Sequence, residues 1–289
     1  MLRECRLCPR WCKVNRLAGE TGKCRTTSQA VVSSYGPHFG EETPLVGRHG
    51  SGTIFFTHCN LRCLFCQNYT ISQLGEGSPI GSEELARIML SLQAKGCHNI
   101  NLVSPTHVVP YILDALEIAA GMGLYLPLVY NSGGYDSVET LKLLDGIVDI
   151  YMPDMKYSDE KIAEQFSGIK GYPSINRAAI KEMHHQVSDL QLNGQGVAQR
   201  GLLVRHLVLP NRLAGTEEVV RFLAQEVSTN TYLNIMAQYY PCYKAFDMPQ
   251  LARPVSKEEF YEAIELAHQQ GLDRLDSRHS SLPLRLILK

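Results

Sequence analysis

Long apolar runs are missing from this sequence, and so is any block of like charge. No stretch approaches the roughly 20 consecutive apolar residues that a membrane-spanning helix needs. The opening Met1-Leu2-Arg3-Glu4-Cys5-Arg6 lacks the apolar core of a secretory signal, so the chain is expected to stay in the cytoplasm, away from membranes. A formal net charge of −1, without a basic stripe that could track phosphates, argues against nucleic acid as a partner. Neither an internal repeat nor a low-complexity tract is present, and Trp11 is the single tryptophan. Hydrophobic and charged contents of 44% and 20% are those of an ordinary folded chain, and 289 residues suffice for one large α/β domain with an extension.

Cysteine is scarce after residue 66 and crowded before it. Of nine cysteines, seven stand at positions 5, 8, 12, 24, 59, 63 and 66, leaving only Cys97 and Cys242 beyond. Disulfide scaffolds are small, secreted and evenly laced, whereas clustered cysteines in a large cytosolic chain point to metal. Cys59-x3-Cys63-x2-Cys66 directly follows Thr53-Ile54-Phe55-Phe56, an aromatic, β-branched run after Gly50-Ser51-Gly52 that reads as a buried strand. The three cysteines therefore lie on a loop leaving a strand end, where open α/β folds place their chemistry. So short a loop can wrap a cubane iron–sulfur cluster, and with no fourth cysteine before Cys97 one iron is left open. A zinc knuckle or a purely structural cluster is the alternative, although structural zinc takes four protein ligands, usually in paired C-x2-C units. Ahead of this loop, Cys5-x2-Cys8-x3-Cys12-x11-Cys24 returns through Gly19 and Gly22 and reads as a second metal site, zinc or iron–sulfur. Trp11 is expected to cover the thin core of this small extension, and residues 30–50 read as a loop-rich bridge to the first strand.

From the cysteine loop onward, helix and strand patterns alternate. Ser82 is expected to cap a helix with Glu83 and Glu84 in its first turn, and further helices are expected over 110–120, 138–144, 216–227 and 256–269. Strands are expected at 99–103, 127–130, 147–151, 202–209 and 232–237, with a short tail strand near 273–275. Residues 159–192 form the longest excursion between strands, helical but broken at 168–173; His184 and His185 sit on it as solvated or packed histidines, and Cys97 is expected to be buried. Strands alternating with helices give a parallel sheet. Six such units are too few to close an eight-stranded barrel, so the fold class is α/β, a partial (β/α)6 TIM-like barrel over residues 51–289 behind a cysteine-rich metal-binding extension over 1–50.

The cysteine loop, with Phe65 before its last cysteine, resembles the radical S-adenosylmethionine (SAM) superfamily, and the whole chain is similar to the group around pyruvate formate-lyase activating enzyme. The resemblance implies a [4Fe-4S] cluster on Cys59, Cys63 and Cys66, SAM on its open iron, reductive SAM cleavage and hydrogen abstraction from a substrate. Glycyl-radical-enzyme activation is one implied outcome and modification of a metabolite, peptide or protein another; the rival from a different class is an Fe–S electron carrier whose clusters never cleave SAM, against which the open iron argues. The same resemblance implies a flavodoxin or ferredoxin as electron donor. Phe65 would pack near adenine. Asn131-Ser132-Gly133 and Asp154-Met155-Lys156 match turns that face SAM in the activating enzymes, and Arg205 with Pro210 matches their arginine strand. Of the strand pair Arg205 and His206, which point to opposite sides, Arg205 is expected to face inward. Ser104-Pro105-Thr106-His107 departs from the family's Gly-Gly-Glu-Pro, so Ser104 and Thr106 would take over contacts to SAM's amino group, with His107 a ligand contact or a plain helix-start histidine.

Overall fold

A computed structural model describes residues 1–276; residues 277–289, the end of the expected barrel domain, lie outside the described part. In chain order the elements are β1 (Ala30–His38), α1 (Thr43–Val46), β2 (Ser51–Phe56), β3 (Ser78–Ile80), α2 (Ser82–Ala94), β4 (Ile100–Val103), α3 (Val109–Gly121), β5 (Leu128–Ser132) and α4 (Val138–Lys142). They continue as β6 (Ile150–Pro153), α5 (Glu160–Ser167), α6 (Tyr172–Val187), β7 (Gln191–Leu192), β8 (Ala198–Leu207), α7 (Thr216–Phe222), β9 (Tyr232–Met236) and α8 (Lys257–Gln269).

Six of the strands, β2-β4-β5-β6-β8-β9, lie side by side in parallel. Helices carry the chain back between them, and the sheet stays unclosed, as six units require. The expected tail strand is a single bridge, Leu233 to Leu275.

Alternation along the strands sorts side chains into two layers. Outward-facing Ile54, Phe56, Ile100 and Leu102 meet Leu85, Met89 and Leu92 of α2 and Ile112 and Ala115 of α3. Tyr130, Tyr151, Leu202 and Val204 do the same against Ile180 and Met183 of α6 and Val219 and Phe222 of α7. Inside, Val129, Ile150, Met152 and Leu203 close on Leu45, which α1 inserts from the N-terminal end of the barrel.

Three local expectations are overturned. Residues 30–50 are not a loop bridge: β1 runs antiparallel to β2 over six pairs, and Leu45 is fully buried in the barrel interior. The Gly-Pro-His end of β1 concealed it, yet β3 pairs only Ala30–Val32, so Pro37, which has no N–H to give, meets no partner on its outer side there. Trp11 does not cover a core; it is 53% exposed, and Leu7, Cys5, Cys8 and Arg16 fill the interior of the extension instead. Ser82 is the first helical residue rather than the cap, which is Gly81. Cys97 is buried, as expected. No described helix is long and apolar enough to cross a membrane.

Leu45→Ala removes a fully buried side chain that α1 commits to the barrel interior. A loss of about 2–5 kcal/mol in unfolding free energy is expected from chemical denaturation; a loss under about 0.5 kcal/mol would mean that residues 30–50 are not part of the folded barrel.

Candidate active site

After β2 the chain turns through His58, which has a left-handed φ of 72°, and enters the cysteine loop. The loop is clamped from behind. Arg62 N donates to Ser167 O at 3.0 Å and Leu64 N to Phe166 O at 2.8 Å, so the C-terminal end of α5 holds it; Lys244 N donates to Leu64 O at 2.9 Å from beyond β9. Phe65 faces this packing, edge-on to Tyr157 and Tyr239 with centroids 6.4 and 5.7 Å away, and is absent from the cavity wall.

On the open side of the loop, Cys59, Cys63 and Cys66 line one cleft with Ser104, Asn131, Ser132, Gly133, Asp154, Lys156 and Arg205. It encloses about 660 Å³ of empty space, part of it open to solvent. Every strand from β2 to β8 in the parallel series contributes at or just beyond its C-terminal end. Ser104 sits there with a φ of 59°, a conformation that a serine adopts only under constraint, its N–H donating to Asn131 O at 2.9 Å. Thr106 lies outside the cleft: its hydroxyl donates to Asp136 Oδ1 at 2.7 Å. His107 is buried, donates from Nε2 to Thr57 O at 2.9 Å, and burial lowers its pKa to about 3, so it is a neutral packing residue.

Charge is concentrated on one wall. Asp154 accepts from Lys156 Nζ at 2.6 Å and from Arg205 Nε at 2.9 Å. Burial alone would raise the Asp154 carboxyl, but the two cations hold it below the usual carboxylate range. Arg205 points into the barrel, where Glu42 Oε1 stands 3.9 Å from its Nε. His206 points the other way, between Met155 O at 2.7 Å and Thr216 Oγ1 at 2.9 Å. Counting Glu42, two cations face two carboxylates, so the group carries no surplus charge; Glu42 is absent from the cleft wall, however, and the Lys156 and Arg205 groups that line it suit a carboxylate ligand.

Several residues escaped sequence reasoning. Asp136, 2% exposed, gathers the hydroxyls of Thr106, Tyr130 at 2.9 Å and Ser132 at 2.6 Å, tying the loops after β4 and β5 together. An acid two residues past a Gly-Gly turn was its only sequence signal. Tyr172 and Asn176 of α6 reach back to the Asp154 carbonyl at 3.0 and 2.9 Å, and nothing local announces them. The glycines serve this packing: a Cβ on Gly134 would stand 2.0 Å from Asp154 O, and one on Gly133 2.6 Å from Leu61.

Arg10, Arg25 and Arg62 crowd the outer side of the cysteine loop, and no carboxylate ion pair reaches them among the described residues. Arg10 Nε donates to Asn60 O at 2.6 Å, Arg25 to Gln73 O, and Arg62 to Lys23 O and, at 2.8 Å, to Gln73 Oε1. Burial and the neighbouring Arg25 lower the pKa of Arg62, and the Cys59 and Cys24 thiols act against them. Cations so placed fit thiolates held in the ionised form by metal. Burial otherwise pushes the Cys59 thiol up to about 12. No three histidine, cysteine, aspartate or glutamate side chains among the described residues converge tightly enough to hold a single metal ion. An iron–sulfur cube asks less convergence of its ligands, because each thiolate caps a different iron.

In the extension, Cys5, Cys8 and Cys24 are buried and Cys12 half-buried. Arg16, 1% exposed, donates to Cys24 Sγ at 3.4 Å and to His107 O at 2.6 Å. Gly22 leaves the room that Cys12 Sγ fills, 2.6 Å from where a Cβ would stand.

Residues 53–188 match the sequence model of the radical SAM superfamily. An uncharacterised protein of Methanocaldococcus jannaschii is 34% identical over 283 residues, 94% of this chain and 77% of that protein. A radical SAM methyltransferase from Sphaerobacter thermophilus has a similar fold, with a TM-score of 0.53 at 15% identity over 76% of this chain and 64% of its own. Streptococcus suis SuiB bound to its precursor peptide SuiA follows with 0.50 at 13%, over 74% and 44%. The chain thus spans less than two thirds of either solved structure.

Asp154→Asn takes from the half-buried Lys156 and Arg205 the anion they share, leaving only Glu42, 3.9 Å from Arg205. A cost of about 3–5 kcal/mol is expected in denaturant titrations at pH 7. Because the folded carboxyl ionises below its unfolded value, this contribution is complete above the ordinary carboxylate range and is lost only as pH falls through the lower folded value. Wild type and variant should therefore converge in strong acid. A gap that persists there would remove the ion pair as its cause.

Proposed function

Because the chain belongs to the radical SAM superfamily, in which a [4Fe-4S] cluster and SAM work together, we propose that Cys59, Cys63 and Cys66 hold such a cluster and that the cleft beside them takes SAM. The observation that carries this is one cleft joining three thiols to the cations of the Asp154–Lys156–Arg205 group. A cluster held by Cys59, Cys63 and Cys66 would supply the electron for reductive cleavage of SAM, and SAM the hydrogen-abstracting group.

The chain's own residues have positioning tasks. Lys156 and Arg205 receive the methionine carboxylate, and Asp154 fixes their direction. Asn131 and the backbone around Ser104 offer the remaining polar contacts, Ser132 being already bonded to Asp136. Phe65 braces the loop from behind, and Thr106 acts through Asp136.

The substrate reading rests on three strand-end segments, Asn131-Ser132-Gly133, Asp154-Met155-Lys156 and Arg205 to Pro210, which resemble those of glycyl-radical activating enzymes. We therefore propose hydrogen abstraction from a protein glycine, with an electron donor of the flavodoxin or ferredoxin kind. Cys5, Cys8, Cys12 and Cys24 are proposed as a second, thiolate-bound centre of the iron–sulfur rather than the single-zinc kind, because no three described side chains converge on one ion; the buried Arg16, which donates to Cys24 Sγ at 3.4 Å, supports thiolates there.

Anaerobically reconstituted wild-type protein, reduced with dithionite in the presence of SAM, is expected to release 5′-deoxyadenosine, and the Cys59/Cys63/Cys66→Ala variant none. Absence of that product, with the cluster's EPR signal indifferent to SAM, would rule out the enzyme. Metal kept by the triple variant is expected to match the Cys5–Cys24 centre; a metal-free variant would rule out the second centre. Incubation with a glycyl-radical enzyme is expected to produce its radical EPR signal. SAM cleavage that yields no such signal with any candidate glycyl-radical partner encoded beside this chain would redirect the substrate reading to metabolites or peptides.

A further inference from the structure

Two hydrogen-bond chains end on the sulfurs of the cysteine loop. Ser167, 0% exposed at the end of α5, donates from Oγ to Cys63 Sγ at 3.0 Å, and its hydroxyl stands 2.7 Å from Tyr157 OH. Cys66 Sγ stands 3.1 Å from Ser72 Oγ. Ser72 accepts from Gln73 Nε2 at 3.2 Å, and Gln73 Oε1 accepts from Arg62 Nη1 at 2.8 Å. A metal-bound thiolate can only accept. Both serines must then donate, which orients every bond behind them: Tyr157 to Ser167 to Cys63, and Arg62 to Gln73 to Ser72 to Cys66. Among the described residues Cys59 receives no hydroxyl, only an ordinary N–H···S bond from its own loop, Leu61 N–H at 3.4 Å. The three ligands are therefore not equivalent.

We propose that Ser167 and Ser72 set the reduction potential of the cluster, with Tyr157 and Arg62 strengthening them through the chains. This rests on the assignment of the cluster to Cys59, Cys63 and Cys66 made above. A hydroxyl hydrogen bond draws electron density from a thiolate sulfur and favours the reduced, more negative cluster. In a buried setting each bond in a directed chain polarises the next. Tyr157 is itself 1% exposed, so water does not replace its donation.

The test compares reconstituted wild type with Ser167→Ala, Ser72→Ala and Tyr157→Phe. Iron content and visible absorption establish cluster loading, EPR-monitored redox titration gives the midpoint potential, and resonance Raman reports iron–thiolate stretching. Both serine variants are expected to keep the cluster, titrate at more negative potential and show iron–thiolate bands at higher frequency; Tyr157→Phe should move both in the same direction by less. A fully loaded Ser167→Ala with unchanged potential and bands would overturn the proposal. Should Ser167→Ala fail to hold a cluster, Tyr157→Phe decides, since it keeps the Ser167 hydroxyl: a shifted potential supports the chain and an unmoved one refutes it. A wild type that takes up no cluster would sink the assignment of the site itself, a separate result from loaded variants that do not shift.

Discussion

The carboxylate of Asp154 is the interaction on which the rest of the site depends. Its side chain holds Lys156 from its own strand end and Arg205 from the neighbouring strand, while its carbonyl accepts from Tyr172 and Asn176 of a helix that returns from the outside. The turn after β5 comes so close to that carbonyl that only glycine fits at position 134. Two strands, one helix and one turn thus converge on a single residue. Two cations and one anion, mostly out of water, make a geometry that packing alone could not specify.

Most of the architecture was legible because periodicity reports burial. Six strands and their helices were visible from apolar alternation and glycine stops, and the cysteine loop after the first of them set the direction of the sheet. What could not be read was long-range. Ala30–His38 hid as a loop because a proline at an outer edge looks the same in sequence as one in a turn. Phe65 and Thr106 share their local patterns with ligand-facing residues, yet tertiary partners, Tyr157 and Tyr239 for one and Asp136 for the other, claim their side chains. Arg205 against His206 was readable, since strand alternation alone separates them. Ser167 was not: its meaning comes from an α5 end that sits against a loop about a hundred residues earlier in the chain.

The extension and the barrel are knit more closely than a boundary at residue 50 suggests. Arg10 and Arg25 bond carbonyls of the cysteine-loop region, Arg62 bonds Lys23 O in return, and Arg16 reaches the carbonyl of His107. His107 in turn donates to Thr57, two residues ahead of Cys59. The cysteine loop is held from outside by this segment and from behind by α5. Only its inner face is left to a ligand.

The antiparallel cover that β1 gives to β2 has a further consequence. β2 opens the parallel series, and its outer rim is hydrogen-bonded along its whole length by residues that precede the superfamily-matching region. Trimming the chain to that region would bare a row of unpaired N–H and C=O groups beside Ile54 and Phe56. Such an edge invites pairing with a second copy. Recombinant fragments that begin at residue 51 would then gather into β-rich aggregates even where every side chain of the cleft had been retained.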